Sequence, residues 1–231
     1  MTKRRIQNEL PHVNLIIATP GHSFMREYFH SFLATIVELS KRDISWTFVN
    51  DYSSLVADAR ETTLSGTKNN IIGESRPLHG HLTYDKILWI DSDIAWTPED
   101  VIKLYESDKD IITGAYLFPS GNTSVHKEKD AEPLNITEVL ELKETTEIHG
   151  TGFGFLCVKK GVFESLSRPW FQTVNSKITG PDGKEIDFPV QGEDIAWCYR
   201  VKEQGFSIYL DPTVQVTHHK MMKLTWKGIQ S

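Results

Sequence analysis

The sequence predicts an α/β fold in which helices cover both faces of a parallel sheet. Segments 13–18, 45–49 and 86–90 have the length and composition of strands, and each precedes a segment with helical features. The first and third are apolar runs, which are typical of strands buried on both faces. Alternation of such strands with helices indicates βαβ units, and these build parallel sheets.

Apolar spacing and one start signal predict the helices of this first half. Apolar residues recur at helical spacing over 23–41 and again over 55–64. Thr97 and Pro98 then precede two acidic residues. A threonine N-cap, a proline in the first turn and early acidic side chains together indicate the start of a third helix.

The second half of the chain is less regular. A helix is expected over 193–204, ending at Gly205. Short strands are expected at 110–117, 153–158, 207–210 and 214–217. Two polar segments, 119–132 and 173–190, are too long for routine connections, so we expect them to be mobile lid or binding loops.

Composition excludes several functional classes. The 231 residues include 25 basic and 31 acidic side chains, a net charge of −6, which argues against binding along a nucleic-acid backbone. With 39% hydrophobic and 24% charged residues, the chain has the composition of a soluble globular protein. The N-terminus, 1–5, is followed by polar residues, and no apolar stretch approaches the roughly 20 residues of a membrane span. We therefore expect a cytoplasmic protein, and the isolated Cys157 and Cys198 agree with a reducing compartment.

Several polar side chains follow the ends of the predicted strands. Thr19 and Pro20 follow the first strand, Asp51 follows the second, and Asp91-Ser92-Asp93 follows the third. Because ligands of parallel sheets bind at the carboxyl ends of the strands, we expect these residues to share one rim.

Asp91 and Asp93 are the first candidate metal ligands. Two carboxylates this close repel each other unless a positive group lies nearby, and hard divalent cations prefer oxygen ligands. Acidic residues at strand ends are also common as turn formers or helix caps, so this pair alone leaves both interpretations open.

The order of motifs resembles metal-dependent glycosyltransferases of the GT-A fold, particularly family 2-like inverting enzymes of bacteria and their phages. The resemblance extends over roughly 13–219. The matching pieces are the strand exit 17–20, the Leu88-Trp89-Ile90-Asp91-Ser92-Asp93 segment with its DXD motif, Gly150-Thr151-Gly152-Phe153, Gly192-Glu193-Asp194 with Trp197-Cys198, and Asp211-Pro212 leading to His218. It implies a Rossmann-like, mostly parallel central sheet flanked by helices, with a small acceptor-side subdomain.

The resemblance also implies a metal site. Asp93 would be the first ligand, Asp91 would contact the ribose or a metal-bound water within the same site, and His218 would complete the ligand set. His219 is the alternative to His218, since neighbouring strand residues point to opposite faces. Carboxylate, phosphate and imidazole ligands favour Mn²⁺ or Mg²⁺ as the cofactor.

Asp194 is the candidate general base in such an enzyme, with Glu193 orienting the acceptor. The acceptor hydroxyl must lose its proton as it attacks the anomeric carbon, so a carboxylate has to lie within hydrogen-bonding reach. Both residues also stand in the first turn of a predicted helix, where acidic side chains are favoured in any case. Capping is therefore the alternative.

Further contacts follow from the resemblance alone. The nucleotide would meet Thr19, Pro20, Asp51, Arg60, Asp91, Ser92 and Asp93. Many relatives have asparagine after the arginine, whereas Glu61 follows Arg60 here. Gly152, Phe153 and Trp170 would form the sugar and acceptor pocket, although the glycine also suits a close backbone approach.

The implied activity is transfer of a sugar from a nucleoside-diphosphate donor to a hydroxyl acceptor. A UDP-sugar is favoured, a GDP-sugar is the second option, and the acceptor is a glycan, a lipid-linked sugar, a protein or a modified base, in a bacterial or phage-infected cell. One domain is expected over 1–231, with a nucleotide-sugar half (13–118), an acceptor and catalytic half (119–219) and a tail (220–231). The alternatives are a non-catalytic nucleotide-sugar or glycan-binding module and a sugar nucleotidyltransferase.

Overall fold

The computed structural model describes residues 10–66, 75–129, 131–179, 184–220, 223–225 and 228–230. Its elements, in chain order, are β1 (His12–Ala18), α1 (Arg26–Lys41), β2 (Trp46–Val49), α2 (Val56–Ser65), β3 (Thr83–Ile90), β4 (Ile94–Ala95), α3 (Pro98–Glu106), β5 (Ile111–Ala115), α4 (Ile136–Glu141), β6 (Thr146–Ile148), β7 (Phe155–Lys159), β8 (Val174–Thr179), β9 (Glu185–Gln191), α5 (Glu193–Glu203), β10 (Ile208–Gln215), β11 (Thr217–His218), β12 (Lys223–Thr225) and β13 (Gly228–Gln230). Residues 1–5, to which the expectation about the N-terminus applied, lie outside the described residues, as does part of the 220–231 tail.

A seven-stranded sheet in the order β2-β1-β3-β7-β5-β10-β6 forms the centre of the molecule. Strands β2, β1, β3, β5 and β10 run in one direction, whereas β7 and β6 are antiparallel to their neighbours. The predicted mostly parallel sheet flanked by helices is therefore confirmed. Strands from both halves of the chain alternate in this sheet.

Two hydrophobic clusters cover the two faces of the sheet. In β1, Ile16 and Ala18 belong to one cluster while Leu15 and Ile17 belong to the other. This alternation explains why the strand is apolar at every position, since both of its faces are buried. Helices α2, α4 and α5 contribute to the first cluster, and α1 and α3 contribute to the second.

The helix starts in the structure follow local sequence signals. Asp100 accepts hydrogen bonds from the backbone N–H and the hydroxyl of Thr97, at 2.8 and 2.7 Å, so the predicted start of α3 is correct. Helix α4 has an equivalent reciprocal cap between Asn135 and Glu138. That second signal is also visible in the sequence, but we did not predict a helix there.

Of the two polar segments, 173–190 differs from the expected loop, whereas the described residues of 119–132 contain no helix or strand. Strands β8 and β9 pair antiparallel over 174–179 and 185–191, and residues 180–183 lie outside the described residues. In the segment 119–132, Val125 is completely buried and His126 exchanges backbone hydrogen bonds with His149 and Gly150. Backbone pairing therefore orders polar sequence that shows no apolar periodicity.

The chain returns to the rim of the sheet at its C-terminal side. Strand β10 pairs with β5, and their register shifts between Leu210 and Gln215. The chain then leaves the main sheet, and β11 pairs antiparallel with β4, with His218 opposite Ile94. Because β4 directly follows Asp91-Ser92-Asp93, this pairing brings the late histidine to the acidic motif. No described helix is long and apolar enough to cross a membrane.

Candidate functional site

A solvent-open cleft of about 990 Å³ lies at the carboxyl ends of β1, β2, β3 and β5. Its walls include Pro20 after β1, Arg60 from α2, Tyr116 after β5, and all three residues of the Asp91-Ser92-Asp93 motif. Asp194, His218 and Lys220 from the C-terminal part complete it. The rim predicted from the strand ends therefore corresponds to a polar cleft among the described residues.

Asp93 and His218 meet in this cleft, although they are 125 residues apart in sequence. Nε2 of His218 lies 3.2 Å from Oδ2 of Asp93, and the imidazole is 6% exposed. The backbone N–H of His219 donates to the carbonyl of Asp93 at 2.8 Å, which fixes the strand beside the motif. The side chain that reaches Asp93 is therefore that of His218, while His219 contributes its backbone.

The orientation of His218 suits a metal ligand. Its Nδ1 lies 2.9 Å from the carbonyl oxygen of Leu117, and a proton on Nδ1 would leave the lone pair of Nε2 facing Asp93. Adjacent ligands of a small octahedral cation lie about 3 Å apart, close to the separation between this nitrogen and the carboxylate oxygen. The two side chains therefore fit a divalent cation such as Mg²⁺ or Mn²⁺.

Lys220 contacts the same carboxylate, so we refer to Asp93, His218 and Lys220 as the Asp93 cluster. Its ammonium donates to Oδ2 of Asp93 at 2.7 Å. Partial burial acts to raise the pKa of Asp93, but the hydrogen bonds and charges of His218 and Lys220 outweigh that effect and lower the pKa to about 2. Asp93 is therefore ionised throughout the neutral range.

Asp91 is held away from this cluster. Its carboxylate pairs with the guanidinium of Arg60, with Oδ1 3.3 Å from Nη1. Among the described residues no three His, Cys, Asp or Glu side chains are grouped to hold a metal ion. Asp91 therefore faces Arg60, and its place in the expected ligand set of Asp91, Asp93 and His218 stays a prediction.

Arg60 forms ion pairs with Asp91 and Glu193, and the nearby charge of Asp194 also acts on it. We refer to Arg60, Asp91, Glu193 and Asp194 as the Arg60 cluster. The arginine side chain is 6% exposed, and its Nε donates to Oε1 of Glu193 at 3.1 Å. Burial opposes the charged form, but Asp91, Asp194 and Glu193 together raise the pKa of Arg60. Arg60 also lines the cleft, so its expected contact with the nucleotide stays a prediction.

Asp194 lies in the first turn of α5 and lines the cleft. Its Oδ1 accepts a hydrogen bond from the backbone N–H of Ile195 at 2.8 Å. Although the residue is partly exposed to the cleft, the surrounding protein desolvates the carboxyl and raises its pKa, and the nearby Glu193 and Asp91 add to the increase against the effect of Arg60. Asp194 is thus a carboxylate with an enhanced affinity for a proton.

The residues predicted to contact the nucleotide occupy different environments. Pro20 lines the cleft, whereas Thr19 is completely buried, with its hydroxyl 2.6 Å from that of Tyr28. The Asp51 carboxylate accepts from the backbone N–H of Tyr52 at 2.7 Å, and its carbonyl accepts from Gly21. Asp51 therefore makes local turn contacts, and its contact with the nucleotide stays a prediction.

The residues predicted for the sugar and acceptor pocket lie in the core. Phe153 and Trp170 are both completely buried, and the indole Nε1 of Trp170 donates to the carbonyl of Phe163 at 3.0 Å. A Cβ on Gly152 would collide with the hydroxyl of Tyr116, so this glycine permits a close packing contact. The aromatic side chains of this group support the cleft from below and do not form its surface.

Glu61 explains the departure from the arginine-asparagine pattern. Its Oε1 pairs with Nε of Arg168 at 2.6 Å, and Oε2 accepts from the backbone N–H of Trp170 at 2.8 Å and of Phe171 at 3.3 Å. The glutamate therefore anchors the segment 168–171 beneath the cleft.

Sequence reasoning missed several cleft residues, among them Tyr116 and Lys220. Tyr116 directly follows β5, so the strand-end rule that identified Asp91 could also have identified it. Lys220 stands two positions after His218, and residues i and i+2 of an extended segment share a face. The tyrosine ring contacts that of His218 at a centroid distance of 5.2 Å, so it also supports the Asp93 cluster.

Comparison with known proteins identifies the fold. No family model and no curated protein matches the sequence. Among solved structures, A197 from STIV is similar over 93% of this chain and 91% of its own, with a TM-score of 0.55 and 19% identity. GalNAc-T7, crystallised with UDP, GalNAc and Mn²⁺, is similar over 90% of this chain with a TM-score of 0.51 and 10% identity, and the match spans 44% of that chain. These likenesses establish a shared fold.

Proposed function

We propose that this protein is a metal-dependent glycosyltransferase that moves a sugar from a nucleoside-diphosphate donor to a hydroxyl acceptor. The observation that carries the proposal is the 3.2 Å approach of His218 Nε2 to Asp93 Oδ2 in a cleft that also contains Asp194. A carboxylate and an imidazole suit a small divalent cation with room for phosphate oxygens. GalNAc-T7, which has a similar fold, binds UDP, GalNAc and Mn²⁺ in its crystal structure, and this supports a UDP-sugar as donor, with a GDP-sugar as the second option.

Asp93 and His218 hold the divalent cation in this proposal. When bound, the cation supplies Lewis-acid stabilisation of the negative charge that develops on the leaving diphosphate. The hydrogen bond of His218 Nδ1 to Leu117 keeps the imidazole in place. Asp91 remains paired with Arg60 and borders the cleft as a hydrogen-bond acceptor for a ribose or sugar hydroxyl.

Asp194 is the general base. The acceptor oxygen attacks the anomeric carbon, the bond between that carbon and the diphosphate oxygen breaks, and the hydroxyl proton passes to Asp194. A raised pKa makes this carboxylate a better proton acceptor than an ordinary aspartate, while the backbone N–H of Ile195 donates to its Oδ1. Attack opposite the leaving group would invert the configuration at the anomeric carbon.

Donor hydrolysis in Mn²⁺, without added acceptor, tests this function. We expect the wild type to release nucleoside diphosphate slowly from a panel of nucleotide sugars. Asp93→Ala should abolish metal-dependent nucleotide binding and turnover. Asp194→Asn should retain binding and lower turnover by about 10²–10⁴-fold, the usual contribution of a general base.

Asp108→Asn is the matched control, because this aspartate is 85% exposed and lies outside the cleft. Its turnover should equal that of the wild type. A protein that binds nucleotide sugars but hydrolyses none would be the binding module considered above. Wild-type turnover in Asp194→Asn would overturn the assignment of the base.

A further inference from the structure

Lys220 contacts the carboxylate oxygen of Asp93 that a cation bound by both Asp93 and His218 would need. Its ammonium lies 2.7 Å from Oδ2 of Asp93, and His218 Nε2 approaches that same oxygen at 3.2 Å. A divalent cation held by both His218 and Asp93 has to bind next to Oδ2. The ammonium and the divalent cation therefore compete for one side of one carboxylate, since like charges at contact distance repel strongly.

The lysine can leave Asp93 without disturbing either proposed ligand. Its side chain is 46% exposed, so rotation into solvent or into the cleft requires no rearrangement of the core. The preceding backbone N–H, that of His219, stays bonded to the carbonyl of Asp93 at 2.8 Å, and His218 stays bonded to Leu117. An exposed ion pair of this kind is worth little, so a cation with two charges can replace it.

We propose that Lys220 is a displaceable internal cation that neutralises Asp93 in the metal-free protein and moves to the diphosphate when the divalent cation binds. This role rests on the metal-dependent function proposed above. Lys220 lines the same cleft as Pro20, Gly21 and Ser92, so the released ammonium remains within the space that would take a diphosphate. Its compact charge and flexible four-carbon stem suit an exchange between two anionic partners.

Two opposite effects of one substitution follow from this exchange. Lys220→Met keeps the length of the stem and removes the charge, so Asp93 loses its competitor. The affinity of the metal-free protein for Mn²⁺ should therefore rise at least threefold. The affinity of the Mg²⁺-saturated protein for inorganic pyrophosphate should fall at least threefold, because the released ammonium is missing.

Titration of free Mn²⁺ by electron paramagnetic resonance measures the first effect without nucleotide or turnover, and calorimetry with magnesium pyrophosphate measures the second. Lys41→Met is the matched control, since Lys41 pairs with Glu38 at the end of α1 and lies outside the cleft, and both affinities should stay at wild-type values. Asp93→Asn should lose Mn²⁺ binding.

An Mn²⁺ affinity in Lys220→Met equal to or below that of the wild type, together with loss of binding in Asp93→Asn, would overturn the internal-cation role and leave the proposed function intact. An unchanged pyrophosphate affinity would overturn the contact with the diphosphate. Equal, negligible Mn²⁺ binding by the wild type, Lys220→Met and Asp93→Asn would instead remove the metal site on which both proposals depend.

Discussion

The Asp93 cluster and the Arg60 cluster place aspartates of one cleft in opposite electrostatic situations. Burial of Asp93 acts to raise its pKa, but hydrogen bonds and charge interactions with His218 and Lys220 lower it to about 2. Asp194 lies among carboxylates that share a single guanidinium, and desolvation raises its pKa. Asp93 is thus a stable anion in this cleft, whereas Asp194 is a proton acceptor. The environment, more than the residue type, decides the chemistry that each aspartate can perform.

The largest change in the free energy of unfolding is expected when the guanidinium of the Arg60 cluster is removed. Arg60→Met should lower the free energy of unfolding by about 3 kcal/mol, because Asp91 and Glu193 would be left without a partner at low solvent exposure. Denaturant unfolding at neutral pH measures the loss.

Arg42→Met provides a matched control. Arg42 also faces three carboxylates, those of Glu38, Glu99 and Glu106, but its side chain is 37% exposed. Its removal should therefore cost less than about 1 kcal/mol. Equal losses in the two variants would contradict the view that Arg60 is needed to hold buried charge.

Gly152→Ala perturbs the wall that both clusters share. Tyr116 lines the cleft, contacts the ring of His218 and has its phenol buried beside Gly152. Because the added methyl group would collide with the tyrosine hydroxyl, we expect a loss of about 1–3 kcal/mol in the free energy of unfolding.

A double-mutant cycle with Tyr116→Phe assigns this loss to the named contact. Phenylalanine removes the hydroxyl that the new methyl group would meet, so the combined variant should be more stable than the sum of the single effects predicts. Simple additivity would show that Gly152 is required for another reason.

The smallest expected changes in stability have opposite signs at Asp93 and Asp194. A lowered pKa means that ionised Asp93 stabilises the fold above its unfolded pKa, near 4, and that this stability disappears as the pH falls through about 2. In EDTA at neutral pH, Asp93→Asn should therefore cost about 1–2 kcal/mol, after allowance for its partial exposure.

Asp194→Asn should stabilise the protein at neutral pH. A raised pKa means that folding favours the protonated carboxyl, so the stability present below the unfolded pKa is lost as the pH rises through the folded one. Asparagine removes the desolvated charge and keeps an oxygen for the N–H of Ile195. Its melting temperature should exceed that of the wild type at pH 7, and the difference should vanish in acid. A destabilised Asp194→Asn protein would contradict the sign of the pKa change.

Sequence reasoning predicted the first half of the fold better than the second half. Each apolar run of the first half forms a strand because burial on both faces leaves a local, readable pattern, as in β1 and β3. The second half inserts β7 between β3 and β5, and β10 between β5 and β6. Nothing in those short strands specifies their neighbours, so their order could not be predicted from spacing.

Several residues of the candidate site were predicted from the sequence, but only some of their contacts were. Asp91, Asp93, Asp194 and His218 all border one cleft, as expected from strand ends and from the resemblance. Trp170 and Phe153 were expected at a ligand but lie in the core, since aromatic side chains give no sequence signal that separates packing from stacking.

The sequence by itself determined the alternation of strands and helices and the chemical groups carried to the strand ends, because these depend on neighbours a few residues apart. Only the tertiary structure decided that Arg60 pairs with Asp91 and Glu193, and that His218 and Lys220 converge on one oxygen of Asp93. Those contacts join segments separated by up to 133 residues. The pairing of β11 with β4 brings His218 and Lys220 to Asp93, and the packing of α2 and α5 on one face of the sheet brings Arg60 to Glu193.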